Sequence, residues 1–177
     1  MAGSTWILHA WSTFYETVGS SSAALTGLVF IVITLVSGSE RRRRNPDGIA
    51  TFTTPTVLHF CMALYIALVV IAPWHSLTFV AVLVGLAGLY GIVHIVRVFA
   101  RARVFTEYVP DIDDWIWYTI LPFIAYCAIL GSAITLLLAP RTALFVLAVA
   151  AGLLIFIGIR NAWDVVTYIA VNDASDT

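Results

Sequence analysis

Apolar runs separated by short polar joints fill this chain, and each run is long enough to be read as one transmembrane helix. The runs lie near Val18 to Val36, Pro55 to Ala72, Leu77 to Val96, Trp115 to Leu138 and Thr142 to Ile159. A helix needs roughly 20 apolar residues to cross a hydrocarbon core of about 30 Å, so the pattern predicts an all-α integral membrane protein with five transmembrane helices. The longest joint runs about Arg97 to Asp114, too short to hold a soluble domain. A single transmembrane domain covering residues 1–177 is therefore expected.

Punctuation sharpens the ends of these helices. Asn45-Pro46-Asp47-Gly48 reads as a turn, and Thr54-Pro55 reads as an N-cap followed by proline at the first helical position. Pro73 closes the second span, and Pro140 followed by Thr142 repeats the stop-and-cap arrangement before the fifth. Asp111, Asp113 and Asp114 put negative charge at the positive end of the fourth helix. Pro122 lies inside that helix, where it removes a hydrogen bond and crowds the carbonyl of Tyr118, so a kink is expected there.

Small residues mark where helices approach closely. Gly19, Ala23 and Gly27 recur every fourth residue along the first span, and Gly85, Gly88 and Gly91 recur every third along the third. Association inside lipid depends on packing, and small residues let backbones touch, so both sets read as packing faces. Ser20, Ser21, Ser22 and Thr26 add hydroxyls to the first span, either bonded to the preceding turn or lining a polar path. Glu16 is the lone acid at the start of that span. Copies of the helix around an axis would place it as an acidic ring at a pore mouth.

Composition agrees with the hydropathy pattern: 61% of residues are hydrophobic and 11% charged, with a formal net charge of −1. All nine cations are arginine. Arg41, Arg42, Arg43, Arg44, Arg97, Arg101, Arg103 and Arg160 fall on one side once five spans are drawn, and Arg141 falls on the other. Cytoplasmic loops are enriched in cations, which predicts the N-terminus outside and the C-terminus inside. The first residues carry no cation and lack the basic start of a cleavable signal peptide. Trp6, Trp11, Tyr15 and Trp74 are expected at the outer interface, and Trp115, Trp117, Tyr118, Trp163 and Tyr168 at the inner one. Arg41 to Arg44 also suit anionic lipid head groups, and nothing suggests a nucleic-acid partner.

The run Gly19-Ser20-Ser21-Ser22-Ala23-Ala24-Leu25-Thr26-Gly27-Leu28-Val29-Phe30 resembles the first span of small, uncharacterised bacterial integral membrane proteins that carry a similar Ala-Leu-Thr-Gly-Leu core. The resemblance covers one helix. It implies a multi-pass protein of the bacterial inner membrane and carries no activity with it.

Polar residues toward the cytoplasmic ends of the other spans are the candidates for chemistry, because ionisable groups are costly in a membrane. Tyr90, His94, Arg97 and Arg101 share one stripe of the third helix. Counting residues from the hairpin around Trp74 puts His59 level with Tyr90, and counting from Pro140 puts Arg160 level with His94. Asp164 follows Arg160 by four residues and can pair with it, with Asn161 and Tyr168 close by. An inner polar layer of His59, Tyr90, His94, Arg97, Arg160 and Asp164 results. It would serve as a helix-pairing network, a proton relay or an anion site. His59 and His94 are also where haem or a metal would bind if either were present, although no motif calls for a cofactor.

Several enzyme classes drop out. The chain has no lysine, which removes Schiff-base chemistry and a Walker phosphate loop. Ser21 and the histidines lie toward opposite borders, too far apart for a serine–histidine protease. Cys61 and Cys127 lie within spans and read as small hydrophobes rather than a redox pair. The sequence thus favours a non-enzymatic homo-oligomer with an ion- or small-solute-permeation role. A non-catalytic accessory or scaffold subunit of a membrane complex, and a membrane redox protein using His59 and His94, are the rival readings. No internal repeat of the transporter kind is present.

Overall fold

A computed structural model describes residues 6–37, 46–102 and 112–174, and among these the fold is helical without strands. A short α1 (Trp6–His9) leads into α2 (Ser12–Ser37), followed by α3 (Pro46–Ile71) and α4 (Leu77–Ala102). Then come α5 (Ile112–Trp115), a π-helical turn (Ile116–Ile120), α6 (Leu121–Thr135) and the long α7 (Pro140–Ala174). Four segments are long and apolar enough to span a membrane: Ser12–Thr34, Leu77–Ala100, Ile116–Thr135 and Pro140–Asp164. The remaining apolar segment, Thr56–Ile71, is shorter, so the second of the five expected spans is the apolar part of a longer helix.

The helices pack in the order α2, α3, α7, α6, α4, each mainly against its neighbours in that series. Chain order and spatial order therefore part company. The hairpin around Trp74 joins α3 to α4, yet these two meet sparsely, because α7 inserts beside α3 and α6 takes the glycine face of α4.

Close packing explains that choice of partner. A Cβ on Gly88 would sit 2.8 Å from the backbone nitrogen of Leu130, one on Gly85 3.5 Å from Ala133, and one on Gly91 would strike the ring of Tyr126. The three-residue glycine stripe is thus the face on which α6 lies. Gly158 of α7 plays the same part against α3, where its Cβ would fall 2.5 Å from the Phe60 ring. No glycine among the described residues has a positive φ, so these positions serve approach between helices rather than turns.

The ends of the bundle are tied by aromatic residues. Tyr15 is expected at the membrane interface but is fully buried, its hydroxyl donating to the Leu144 carbonyl at 3.4 Å. Neighbouring Trp11 meets Phe145 edge-on at 4.7 Å, so α2 is pinned to the start of α7. The Trp74 indole donates to the Val69 carbonyl at 2.6 Å and satisfies an acceptor left open where α3 ends.

Helix boundaries differ from the sequence reading in several places. α3 begins at Pro46 and runs through Thr54-Pro55, and α7 begins at Pro140 rather than after it. Both start with proline at the first helical position, where the missing N–H has no helical partner to lose. The expected break in the fourth span falls earlier than Pro122. A π turn ends at Ile120, with the Leu121 N–H bonded to the Ile116 carbonyl, and Pro122 sits in the first turn of α6. The wide turn absorbs the missing donor before the regular helix resumes. α4 and α7 also run past their apolar stretches, to Ala102 and Ala174.

Candidate functional site

Three helices, α3, α6 and α7, bury polar side chains where they meet. His59 of α3 and Tyr126 of α6 are both fully buried, with His59 Nδ1 and the Tyr126 hydroxyl 2.9 Å apart. The imidazole Nε2 has no hydrogen-bond partner. Asn161 of α7 is also fully buried, and neither its amide oxygen nor its amide nitrogen is bonded. Thr56, one turn before His59, is buried as well.

Helix geometry brings Asn161 into the same junction. The contact between Gly158 and Phe60 sets the register of α7 against α3. Arg160 lies with its guanidinium 5.8 Å from the centroid of the Trp117 ring, which marks the side of α7 facing the fourth span. At about 100° per residue, Asn161 points roughly 60° from Gly158 and 100° from Arg160, between the two marked faces. It also stands about 4.5 Å of helix rise beyond Gly158. Side chains lean toward the N-terminus of their own helix, and α3 and α7 are antiparallel, so His59 and Asn161 lean toward one another along the bundle axis.

The expected polar layer is thus divided. His94 stacks on Tyr90, with ring centroids 6.4 Å apart and planes at 21°. Tyr90 and Arg97 are on the exposed face of α4. His59 is therefore hydrogen-bonded to the fourth span and not to the third, because α3 and α4 are splayed. Arg160 and Asp164 form the expected ion pair one helical turn apart, half-exposed at 39% and 34%. An exposed pair of this kind contributes roughly 0.2–1 kcal/mol. A double-mutant cycle with Arg160→Gln and Asp164→Asn is expected to give a coupling energy inside that range in thermal unfolding.

The proposed face on α2 also divides. Gly19 is buried with its Cβ position 3.3 Å from Ala67, and Ser22 is buried with its hydroxyl unbonded, both on the seam with α3. Glu16, Ala23 and Gly27 are exposed, with nothing within 4 Å of the Gly27 Cβ position. Steps of four residues turn a helix by about 40° beyond a full circle, so Gly19, Ala23 and Gly27 drift out of one groove. Ser20, exposed between them, joins Glu16, Ala23 and Gly27 on an outward stripe, while Thr26 donates to the Ser22 carbonyl at 2.8 Å. Ser22 therefore faces the protomer interior.

Tyr126 was not among the residues singled out by sequence, though a phenol in mid-span, away from the interfacial belts, must find a partner. In the sequence Asn161 stands out only as a neighbour of Arg160. Arg41 to Arg44 lie outside the described residues, as do Arg103 and Asp111. No group of three or more His, Cys, Asp or Glu side chains suited to a metal ion occurs among the described residues. Cys61 and Cys127 are separate free thiols on exposed faces. No protein-family model, curated protein or solved structure matches the chain.

Proposed function

We propose that this chain is a transport protein of the bacterial inner membrane, with five spans, the N-terminus outside and the C-terminus in the cytoplasm. It works as a homo-oligomer and passes an ion or small solute. The orientation is supported by the arginines, since Arg97 and Arg160 then lie toward the cytoplasm and Trp74 toward the outside. Oligomerisation is supported by the outward stripe of Glu16, Ser20, Ala23 and Gly27, which leaves small side chains against lipid on a spanning helix.

One observation carries the transport reading: His59 Nε2 and the whole Asn161 amide are buried without protein partners in the middle of an apolar bundle. Unsatisfied polar groups are expensive in such a setting, and a polar guest would satisfy them. Purified protein in liposomes is expected to carry flux of at least one small solute or ion above empty vesicles. If flux is absent for every species tested and the protein co-purifies with a larger membrane complex, it is an accessory subunit instead. Glu16→Gln separates two routes: a drop in cation flux points to a path lined by α2 at the oligomer axis, and unchanged flux to a path inside the protomer.

A second reading has its own support. His59 has Nδ1 engaged by Tyr126 and Nε2 unbonded, the disposition of a ligating histidine whose orientation is fixed by a hydrogen bond. His94 is the other imidazole that the sequence offers for haem or a metal. Visible absorbance and metal content of the purified protein decide it, and a colourless, metal-free preparation that still carries flux removes it.

A further inference from the structure

We infer that the junction of α3, α6 and α7 is a binding site for a small, uncharged, hydrogen-bonding solute, held between Asn161 and His59. The proposal rests on the transport reading for its purpose and names the solute class that such a protein would take.

The donors and acceptors define the class. Asn161 offers one acceptor and two donors, and His59 Nε2 offers one donor or one acceptor according to tautomer. Tyr126 fixes the imidazole through Nδ1, so the ring is oriented before any guest arrives. The charged groups nearest in sequence, Arg160 and Asp164, are engaged with each other, and Arg160 lies over Trp117 at the edge of the bundle. No charged side chain among the described residues is fully buried. A bare ion would enter without an opposite charge to offset its dehydration, whereas a molecule carrying a hydroxyl or amide meets both donors and acceptors.

Apolar and aromatic side chains surround the two polar groups. Phe60 fills the space beside Gly158, Ile129 and Ile157 are buried one turn from Tyr126 and Asn161, and Tyr126 closes the side toward α4. Glycerol and acetamide are of the right class, whereas amino acids carry charges that the junction does not offset.

Solution NMR on the full chain in nanodiscs tests the site directly. With histidine and asparagine side chains labelled, titration with acetamide or glycerol is expected to produce a saturable shift of the His59 ring and the Asn161 amide. Sodium and chloride at the same concentration should produce none. In Asn161→Leu the His59 response should require roughly tenfold more solute, the loss of about one good hydrogen bond, while Arg160→Gln leaves it unchanged. The wild-type titration needs no variant to fold. Absence of a saturable shift with either probe, or an equal response to the salts, overturns the site. Liposome flux is read separately: saturable binding without flux retains the site and removes the transport reading, and flux without binding does the reverse.

Discussion

Replacing Gly88 with alanine is expected to destabilise the protein, although the same change in an open helix stabilises it. Glycine within a helix is less favourable than alanine by about 1 kcal/mol, so a Gly→Ala change with room for the methyl gains roughly that amount. Gly131 and Gly152 have nothing within 4 Å of their Cβ positions, and alanine there is expected to raise the melting temperature slightly or leave it unchanged. At Gly88 the methyl would meet the Leu130 backbone, with nitrogen at 2.8 Å and Cα at 3.0 Å. Backbone cannot rotate aside as a side chain does, so α4 must move off α6. Overpacking of this kind costs about 1–3 kcal/mol, enough to reverse the sign of the propensity gain. Thermal unfolding in one detergent across Gly88→Ala, Gly131→Ala and Gly152→Ala measures it. A stabilised Gly88→Ala would mean that α4 does not pack on α6 along its glycine stripe.

Truncating Tyr126 to alanine is expected to be more damaging, by about 3–5 kcal/mol, because a fully buried aromatic leaves a large void. The void would open beside Gly91, whose missing side chain is what admits the ring. Tyr126→Phe keeps the volume and removes only the hydroxyl bonded to His59, and interhelical hydrogen bonds in membranes average about 0.6 kcal/mol with a maximum near 1.7. The two variants therefore separate packing from hydrogen bonding at one position. Gly91→Ala provides the coupling test. On its own it forces the ring out of place, and in the Tyr126→Ala background the methyl has space, so the second substitution is expected to be tolerated. Strict additivity of the two losses would show that Tyr126 does not occupy the space over Gly91.

Much of the helical layout could be read from hydropathy, because apolar runs of spanning length have few alternatives in lipid. The glycine stripe of α4 was legible as a packing face because three small residues on successive turns let a neighbouring backbone come close. Its partner was not legible, because a smooth helix face does not specify which neighbour lies on it. Helix starts differ at the prolines: Pro46, which reads as part of a turn, and Pro140, which reads as a stop, both begin helices, and Pro55, which reads as a first helical position, lies inside one. The Arg160–Asp164 pair was legible because spacing of four within one helix fixes proximity. The His59–Tyr126 pair joins residues 67 positions apart and has no local signature.

The sequence alone determined that these are apolar helices of membrane-spanning length, which of their residues are small, and where polar groups would be expensive. Those properties follow from composition, period and the solvent that surrounds each helix. Tertiary structure decided which helices are neighbours, and with that which polar groups meet. Consecutive α3 and α4 are splayed, so the expected partnership of His59 with the third span gives way to Tyr126 of the fourth. Asn161 turns into the same junction through the register set by Gly158 on Phe60, and Gly19 and Ser22 turn inward while Gly27 turns out. Each of these outcomes depends on the direction in which a helix face points once its neighbours are packed against it. Residue spacing along one chain fixes the faces of each helix, but not the rotation of one helix against another.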